Sequence, residues 1–214
     1  MKICTYTIKK DTGFAPNPFH GYCTLATCTP NHMGARLDRG DRIAMFFTDS
    51  AKPCLVCTIL LGEILGYDSY YHDGRFEKKK PVLTGPPELR CGDNIYHRNR
   101  AGKWVRDKGP YHQDPWAFEQ DTRYARVYIG TTFAYFGENA YDHPLPPSLR
   151  SVLKKRQGLK YTREGDPLFK KYWRWLESQP PGVHGQPRDL ETSKSCSPKS
   201  CKNEKAKKPR NECN

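Results

Sequence analysis

Acid–base chemistry near neutral pH needs a carboxylate or an imidazole held beside the reacting atoms. Asp11, His20 and Asp93 are the candidate catalytic residues for it. The first two lie within an ornate stretch, Asp11-Thr12-Gly13-Phe14-Ala15-Pro16-Asn17-Pro18-Phe19-His20-Gly21-Tyr22, which runs on into Cys23-Thr24-Leu25-Ala26-Thr27-Cys28. Its prolines stiffen the backbone while aromatic faces and the polar edges of Asn17 and His20 are presented together. Such a stretch builds a site or plugs a core. As a site it suits a nucleobase, with Phe14, Phe19 or Tyr22 stacking on the ring and Asn17 or His20 reading its edge. As a plug, Pro16-Asn17-Pro18 is a rigid turn, Phe14 and Phe19 pack inward and His20 bonds a backbone carbonyl.

A second constellation follows Gly92-Asp93, where Asn94, Tyr96, His97, Arg98, Arg100 and Trp104 supply amide, phenol, imidazole, guanidinium and indole groups. That set can stack a base and hold its phosphate. Gly-Asp before a strand, here and at Gly40-Asp41, is equally a turn signal whose carboxylate bonds backbone amides. The expected base-binding residues are therefore Phe14, Asn17, His20, Tyr22, Asn94 and Tyr96. The expected phosphate-binding residues are Lys78, Lys79, Lys80, Arg98 and Arg100, with Tyr70-Tyr71-His72-Asp73 on the same rim. His97, His112 and Asp114 are further titrating groups, and Cys23 or Thr24 qualifies as a nucleophile if a base lies adjacent in the fold. No Walker loop, HExxH or nucleophile elbow is present, so reader and enzyme both stay open.

The chain has nine cysteines. Cys54-x-x-Cys57 and Cys23-x4-Cys28 have spacings that zinc accepts. Cys57, however, falls within an apolar run with no knuckle glycine after it, and buried structural thiols are the stronger reading. No metal and no cofactor is expected. The start Met-Lys-Ile-Cys-Thr-Tyr lacks the apolar core of a signal peptide, and no apolar run matches a bilayer. The expected setting is reducing and cytoplasmic, with no membrane partner.

Lys and Arg number 36 against 23 Asp and Glu, a net charge of +13. Removing the chain from Arg188 onward still leaves an excess of about nine positive charges, so the body itself is basic. Cations that neutralise phosphates release counterions and gain affinity without reading sequence. DNA or a nucleotide is the expected partner, with a DNA-modifying enzyme as a further one.

The elements that must position these residues are read from periodicity. Lys2–Ile8 and Arg42–Phe47 alternate as strands, Leu55–Leu65 reads as a buried strand bent at Gly62, and Tyr124–Phe136 supplies one or two more. Long loops are expected at 66–83, 98–120 and 142–147. A helix is expected over Pro167–Gln179, capped by Asp166, with Leu168, Phe169, Tyr172, Trp173 and Leu176 on its apolar face. A shorter one is expected over Pro147–Gln157, its Arg150, Lys154, Lys155 and Arg156 facing phosphate or water. These point to a single α+β domain over residues 1–188. It would have a curved, mostly antiparallel sheet or partial β-barrel, one or two packed helices, and a disordered basic C-terminal tail over 189–214.

The motif Asp11-x-Gly-Phe-Ala-Pro-Asn-Pro-Phe-His-Gly-x-Cys-Thr-Leu-Ala-Thr-Cys-x-Pro30, with Gly40-Asp41, Gly92-Asp93-Asn94-Ile95-Tyr96, Phe133-Ala-Tyr-Phe-Gly137 and Pro181-Gly-Val-His-Gly185, resembles the nucleotide modification associated domain 2 family over roughly residues 1–188. The resemblance implies a bacterial or phage protein linked, by genomic association, to systems that make or handle modified bases in DNA. It implies no catalytic residue set. Family members tend to continue with a basic Lys-Pro-type stretch after the last motif cysteine, where this chain has Thr29-Pro30-Asn31-His32-Met33. The order of strand, ornate loop, Gly-Asp turn and strand is also similar to PUA-like barrels, the group of ASCH, EVE and YTH modules that hold a flipped base. By that analogy the mouth of the barrel would accept an extruded nucleotide. The alternative to a reader is an enzyme of modified-base metabolism, a transferase or hydrolase, with Asp11, Asp93 and His20 doing the acid–base work.

Overall fold

The computed structural model describes residues 1–190 apart from 155 and 157. In chain order the strands are β1 (Lys2–Thr7), β2 (Cys23–Leu25), β3 (Arg42–Phe47), β4 (Cys54–Leu60), β5 (Glu63–Gly66), β6 (Tyr96–Arg98), β7 (Trp104–Arg106), β8 (Arg126–Gly130), β9 (Thr132–Tyr135), β10 (Lys160–Arg163) and β11 (Gly182–Val183). The α-helices are α1 (Tyr67–His72), α2 (Pro87–Arg90), α3 (Pro115–Tyr124) and α4 (Phe169–Glu177). Six strands form one sheet in the order β10-β1-β3-β4-β9-β11, β2-β8-β5 form a second, and β6-β7 are a hairpin. Most pairings are antiparallel; β1 with β3 and β9 with β11 run parallel. The large sheet ends openly at β10 and β11, so no barrel closes among the described residues.

Every residue of β3 is buried and β4 is buried through Ile59, which explains the continuous apolar composition of these central strands. Phe169, Tyr172 and Leu176 of α4 join this core, where the Tyr172 hydroxyl lies 3.0 Å from that of Thr5 and Trp175 stacks on Phe46. Arg42 is buried on the same side, its guanidinium 4.8 Å from the Trp173 ring centre. Cys23, Leu25 and Tyr128 bring β2 and β8 into the same core. A second core is aromatic, built from Phe14, Tyr67, Tyr70, Phe76 and Tyr96 with Ile95, Val127 and Ile129.

Several elements differ from the sequence reading. The run Leu55–Leu65 is two strands in different sheets, because the chain turns over at Gly62, whose N–H bonds the Ile129 carbonyl at 3.0 Å. The expected loop at 66–83 folds into α1 and a 3-10 stretch, Gly74–Lys79, because Tyr67, Tyr70 and Phe76 are spaced to bury together. The expected loop at 98–120 holds the hairpin and most of α3. Of the expected helix at 147–157 the described residues form only a 3-10 turn, Pro147–Val152, which ends when Leu153 turns extended, and Lys155 and Gln157 lie outside the described residues. Asp166 does not cap α4; its carboxylate accepts the Arg163 N–H at 2.6 Å and closes the turn after β10.

Residues 189 and 190 of the expected tail are described, and the rest of it lies outside the described residues. Asp189 donates its N–H to the Asp11 carbonyl at 2.7 Å and accepts the Asp11 N–H on its carboxylate at 2.8 Å, while residues 191–214 lie outside the described part. Among the described residues no helix is long and apolar enough to cross a membrane.

The closing Pro181–Gly185 motif docks on the Phe133–Gly137 motif through backbone. His184 donates to the Tyr135 carbonyl at 2.8 Å, and a Cβ on Gly185 would meet the Phe136 carbonyl oxygen at 2.2 Å. Gly185→Ala is therefore expected to destabilise by about 1 to 3 kcal/mol. Gly74→Ala, with nothing within 4 Å of a new Cβ, is the control and should stay within about 0.5 kcal/mol in chemical denaturation.

Candidate functional site

The ornate loop is held from behind by a buried cation. Lys79 is 1 % exposed, and its ammonium donates to the Asn17 carbonyl at 2.9 Å, the Asn17 side-chain oxygen at 2.6 Å and the Tyr22 carbonyl at 2.8 Å. All three of its donors are thereby used. Asn17, fully buried, donates its amide to the Cys91 carbonyl at 3.0 Å and exchanges backbone bonds with Thr24 at 2.9 Å each way. Asp93 takes the Thr24 and Tyr70 hydroxyls on separate oxygens, each at 2.7 Å. Burial pushes Lys79 down to about 8 and raises Asp93, each against the pull of the other's charge. The Gly92-Asp93 turn sits tightly on this latch, since a Cβ at Gly92 would lie 2.3 Å from the Lys79 carbonyl oxygen.

The residues expected to bind a base are thus largely committed elsewhere. Phe14 is buried against Tyr111 and His112, with ring centres 5.3 and 5.2 Å away. Tyr96 is buried, stacked on Tyr67, and its hydroxyl donates to Asp121 at 2.7 Å. Asn94 is buried and donates to the Tyr70 and Phe76 carbonyls at 3.2 and 3.3 Å. Tyr22 is half-buried with an edge on Phe76. None of the buried rings offers an open face for stacking, because the aromatic core consumes them. His20 holds a left-handed backbone, φ 60°, and its pKa is lowered, first by burial and then by the Lys79 charge.

The phosphate-binding candidates also separate. Lys79 is inside; Lys78 is exposed; Lys80 pairs with Glu77 at 2.6 Å and sits over the Tyr71 ring. Arg98 and Arg100 are exposed on the β6–β7 hairpin and its turn, Arg98 lying over Trp104. Of the catalytic candidates, Asp11 is fully buried, accepts the Tyr135 hydroxyl at 2.6 Å, and is pushed by burial up to about 6. Asp114 caps α3 by accepting the Ala117 N–H at 2.8 Å, and His97 stacks on Tyr71 with Asp107 3.3 Å away. Cys23 lies 3.7 Å from Cys57, sulfur to sulfur, while Cys54 bonds the Lys52 carbonyl and Cys28 faces His112, so the four cysteines considered for zinc do not converge.

The open concavity lies elsewhere. A groove of about 1330 Å³ runs between the end of β1, the Cys28-Thr29 segment and the stretch from the Pro147–Val152 turn to β10. Lys9, Lys10, Arg150, Lys154, Arg156 and Lys160 line it, with no carboxylate among its lining residues. Tyr6 lines it too; its hydroxyl is buried with no hydrogen-bond partner among the described residues.

Cys28 sits on the wall of this groove in a left-handed backbone, φ 61°. Its sulfur is 2.9 Å from Nε2 of His112, whose Nδ1 is 2.6 Å from a carboxylate oxygen of the fully buried Asp121. The other Asp121 oxygen accepts the Cys28 N–H at 3.4 Å, and the Thr27 hydroxyl is 3.8 Å from the sulfur. Burial pulls His112 down, but the Asp121 carboxylate and the Cys28 sulfur outweigh it and hold the imidazole at about 10, charged at neutral pH. His112 too has a left-handed backbone, φ 56°.

The family model described as nucleotide modification associated domain 2 matches residues 1–194. The chain belongs to that family. No curated protein and no solved structure matches it. For this member of the nucleotide modification associated domain 2 family, the sequence reading noticed Cys28 and His112 separately and passed over Asp121. The available signal was an acid on the inward face of α3: Ala117 and Asp121, one turn apart, are its buried residues. Reading that stretch as loop hid it.

Two measurements test the buried network. Lys79→Met leaves three oxygen acceptors without their donor and Asp93 without its counter-charge, and should cost about 3 to 5 kcal/mol in denaturant unfolding. Asp11, whose folded pKa is raised from 3.8 to about 6, binds more protons folded than unfolded between those values. Stability from this group is present in acid and is lost as pH rises from about 4 to 6, by up to about 3 kcal/mol. The wild type should therefore lose stability relative to Asp11→Asn across that window, and a flat difference would refute the assignment.

Proposed function

We propose that this domain binds a phosphate-bearing ligand, a nucleotide or a DNA strand carrying modified bases, within a nucleotide-modification system of a bacterium or phage. The observation that supports it is the groove with six Lys and Arg side chains and no lining carboxylate. A concave, single-signed surface focuses potential and concentrates polyanions, and its cations gain affinity by counterion release. The groove is large enough for a nucleotide rather than a lone phosphate. Ile8, Ala15 and Leu153 supply the apolar surface on which a base can rest.

This reading moves the phosphate contacts from the Lys78–Lys80 and Arg98–Arg100 rim to Arg150, Lys154 and their neighbours. The discriminating experiment is a salt titration of oligonucleotide binding. Lys154→Ala and Arg150→Ala should each weaken binding to every sequence alike and reduce the slope of log affinity against log salt by about one. Arg100→Ala should leave both unchanged. Loss confined to Arg100→Ala would return the site to the hairpin, and no change in any variant would remove the groove from binding.

A further inference from the structure

Four features converge at one wall of the groove: a half-buried cysteine that lines it, an imidazole nitrogen 2.9 Å from the sulfur, a carboxylate on the far ring nitrogen at 2.6 Å, and a left-handed backbone at the cysteine. Each has a structural explanation alone. Together they are the parts of an activated nucleophile, in which a base holds the attacking group and a third group fixes the base's tautomer and orientation. The left-handed conformation costs a non-glycine residue free energy, and such outliers persist where surrounding structure enforces them. Of the cysteines in the described residues, the other five are buried, and Cys28 alone among them lines the groove.

We propose that Cys28 and His112 are catalytic residues of a thiol-dependent acyl transfer, positioned by Asp121, acting on an ester, amide or acyl phosphate carried by an anionic, phosphate-bearing substrate. The substrate class rests on the groove reading above; the nucleophile does not. Transfer of the thiol proton to His112 Nε2 gives an imidazolium beside a thiolate. The sulfur lone pair attacks the acyl carbon and a C–S bond forms. The bond from that carbon to its leaving oxygen or nitrogen breaks, and the leaving atom takes the proton from His112 Nε2, which leaves the imidazole neutral. Water, or an amine or hydroxyl of a second substrate, then attacks the thioester while giving its proton to His112, and the C–S bond breaks to return the thiolate. No oxidation state changes. Asp121, accepting the Tyr96 hydroxyl at 2.7 Å as well as the imidazole, keeps Nδ1 protonated and Nε2 aimed at sulfur.

The test uses the full chain. Peptide-resolved mass spectrometry follows iodoacetamide alkylation at pH 6, with glutathione as the reference thiol. Cys28 should react at least about tenfold faster than glutathione, because the thiolate is the reacting form. His112→Asn, a side chain that tolerates a left-handed backbone, should abolish that excess while leaving the melting temperature and circular dichroism near wild type. Acetyl phosphate should then deposit an acetyl group on Cys28, slowed by about 100-fold or more in His112→Asn. Asp121→Asn should lower kcat for acetyl phosphate while leaving KM unchanged, which general loosening of the fold would not do. A Cys28 rate no greater than that of glutathione, or one unaltered in His112→Asn, overturns the proposal. Acetylation of Cys28 by p-nitrophenyl acetate as readily as by acetyl phosphate, unaffected by Lys154→Glu, would leave the nucleophile standing and overturn only the anionic substrate class.

Discussion

The organisation of this domain depends on a lysine with no access to water. Burying an ammonium costs several kcal/mol unless every donor is met and a counter-charge is near. Lys79 meets both conditions through carbonyls on either side of the Pro18–Gly21 bend and through Asp93 on the Gly92-Asp93 turn. Remove that cation and the carbonyls of Asn17 and Tyr22 face each other across an unfilled gap. The latch therefore fixes where the ornate loop ends and β2 begins, and β2 in turn sets the path by which the chain reaches Cys28. A structural ion thus governs a site to which it contributes no atom.

The same constraint explains what was legible in the sequence. Helix α4 was readable because its apolar period matches its burial, whereas strands β1 and β3, read from alternation, are buried on both faces. The helical turns at α1 and the Gly74–Lys79 stretch were not, since six residues carry too little periodicity and their glycines, charges and tyrosines resemble a loop until Tyr67, Tyr70 and Phe76 are seen to bury. Lys79 looked like one member of a basic run on a rim. Only tertiary structure distinguishes it from Lys78, which is exposed, because the difference lies in the acceptors brought to it from sixty residues away.

The candidate site was legible in its parts and not in its assembly. Motif residues from Asp11 to Thr24 and at Asp93 drew attention because rigid, polar, aromatic sequence is unusual, yet its rigidity serves the core: Asn17, Asp93 and Asn94 spend their polar groups on neighbouring backbone and side chains. Cys28, His112 and Asp121 come from a loop after β2, a loop before α3 and the inward face of α3 itself. No spacing rule joins residues separated in that way, and a nucleophile with its base is recognised by geometry, not by order in the chain.

The division between core and groove also accounts for the charge. A domain whose aromatic residues are largely spent internally has few rings left for stacking, so in the proposed function the hold on a polyanion falls to Lys and Arg around the groove. Phosphate contacts position a ligand without reading its bases. Discrimination among ligands must then come from what lies within reach once the phosphate is seated, and on this wall those groups are the Cys28 thiol and the neutral surface around it. If the groove supplies the hold and the thiol supplies the chemistry, specificity rests on which substrates place an electrophilic carbon against Cys28, a demand on shape and reactivity that a basic surface alone does not impose.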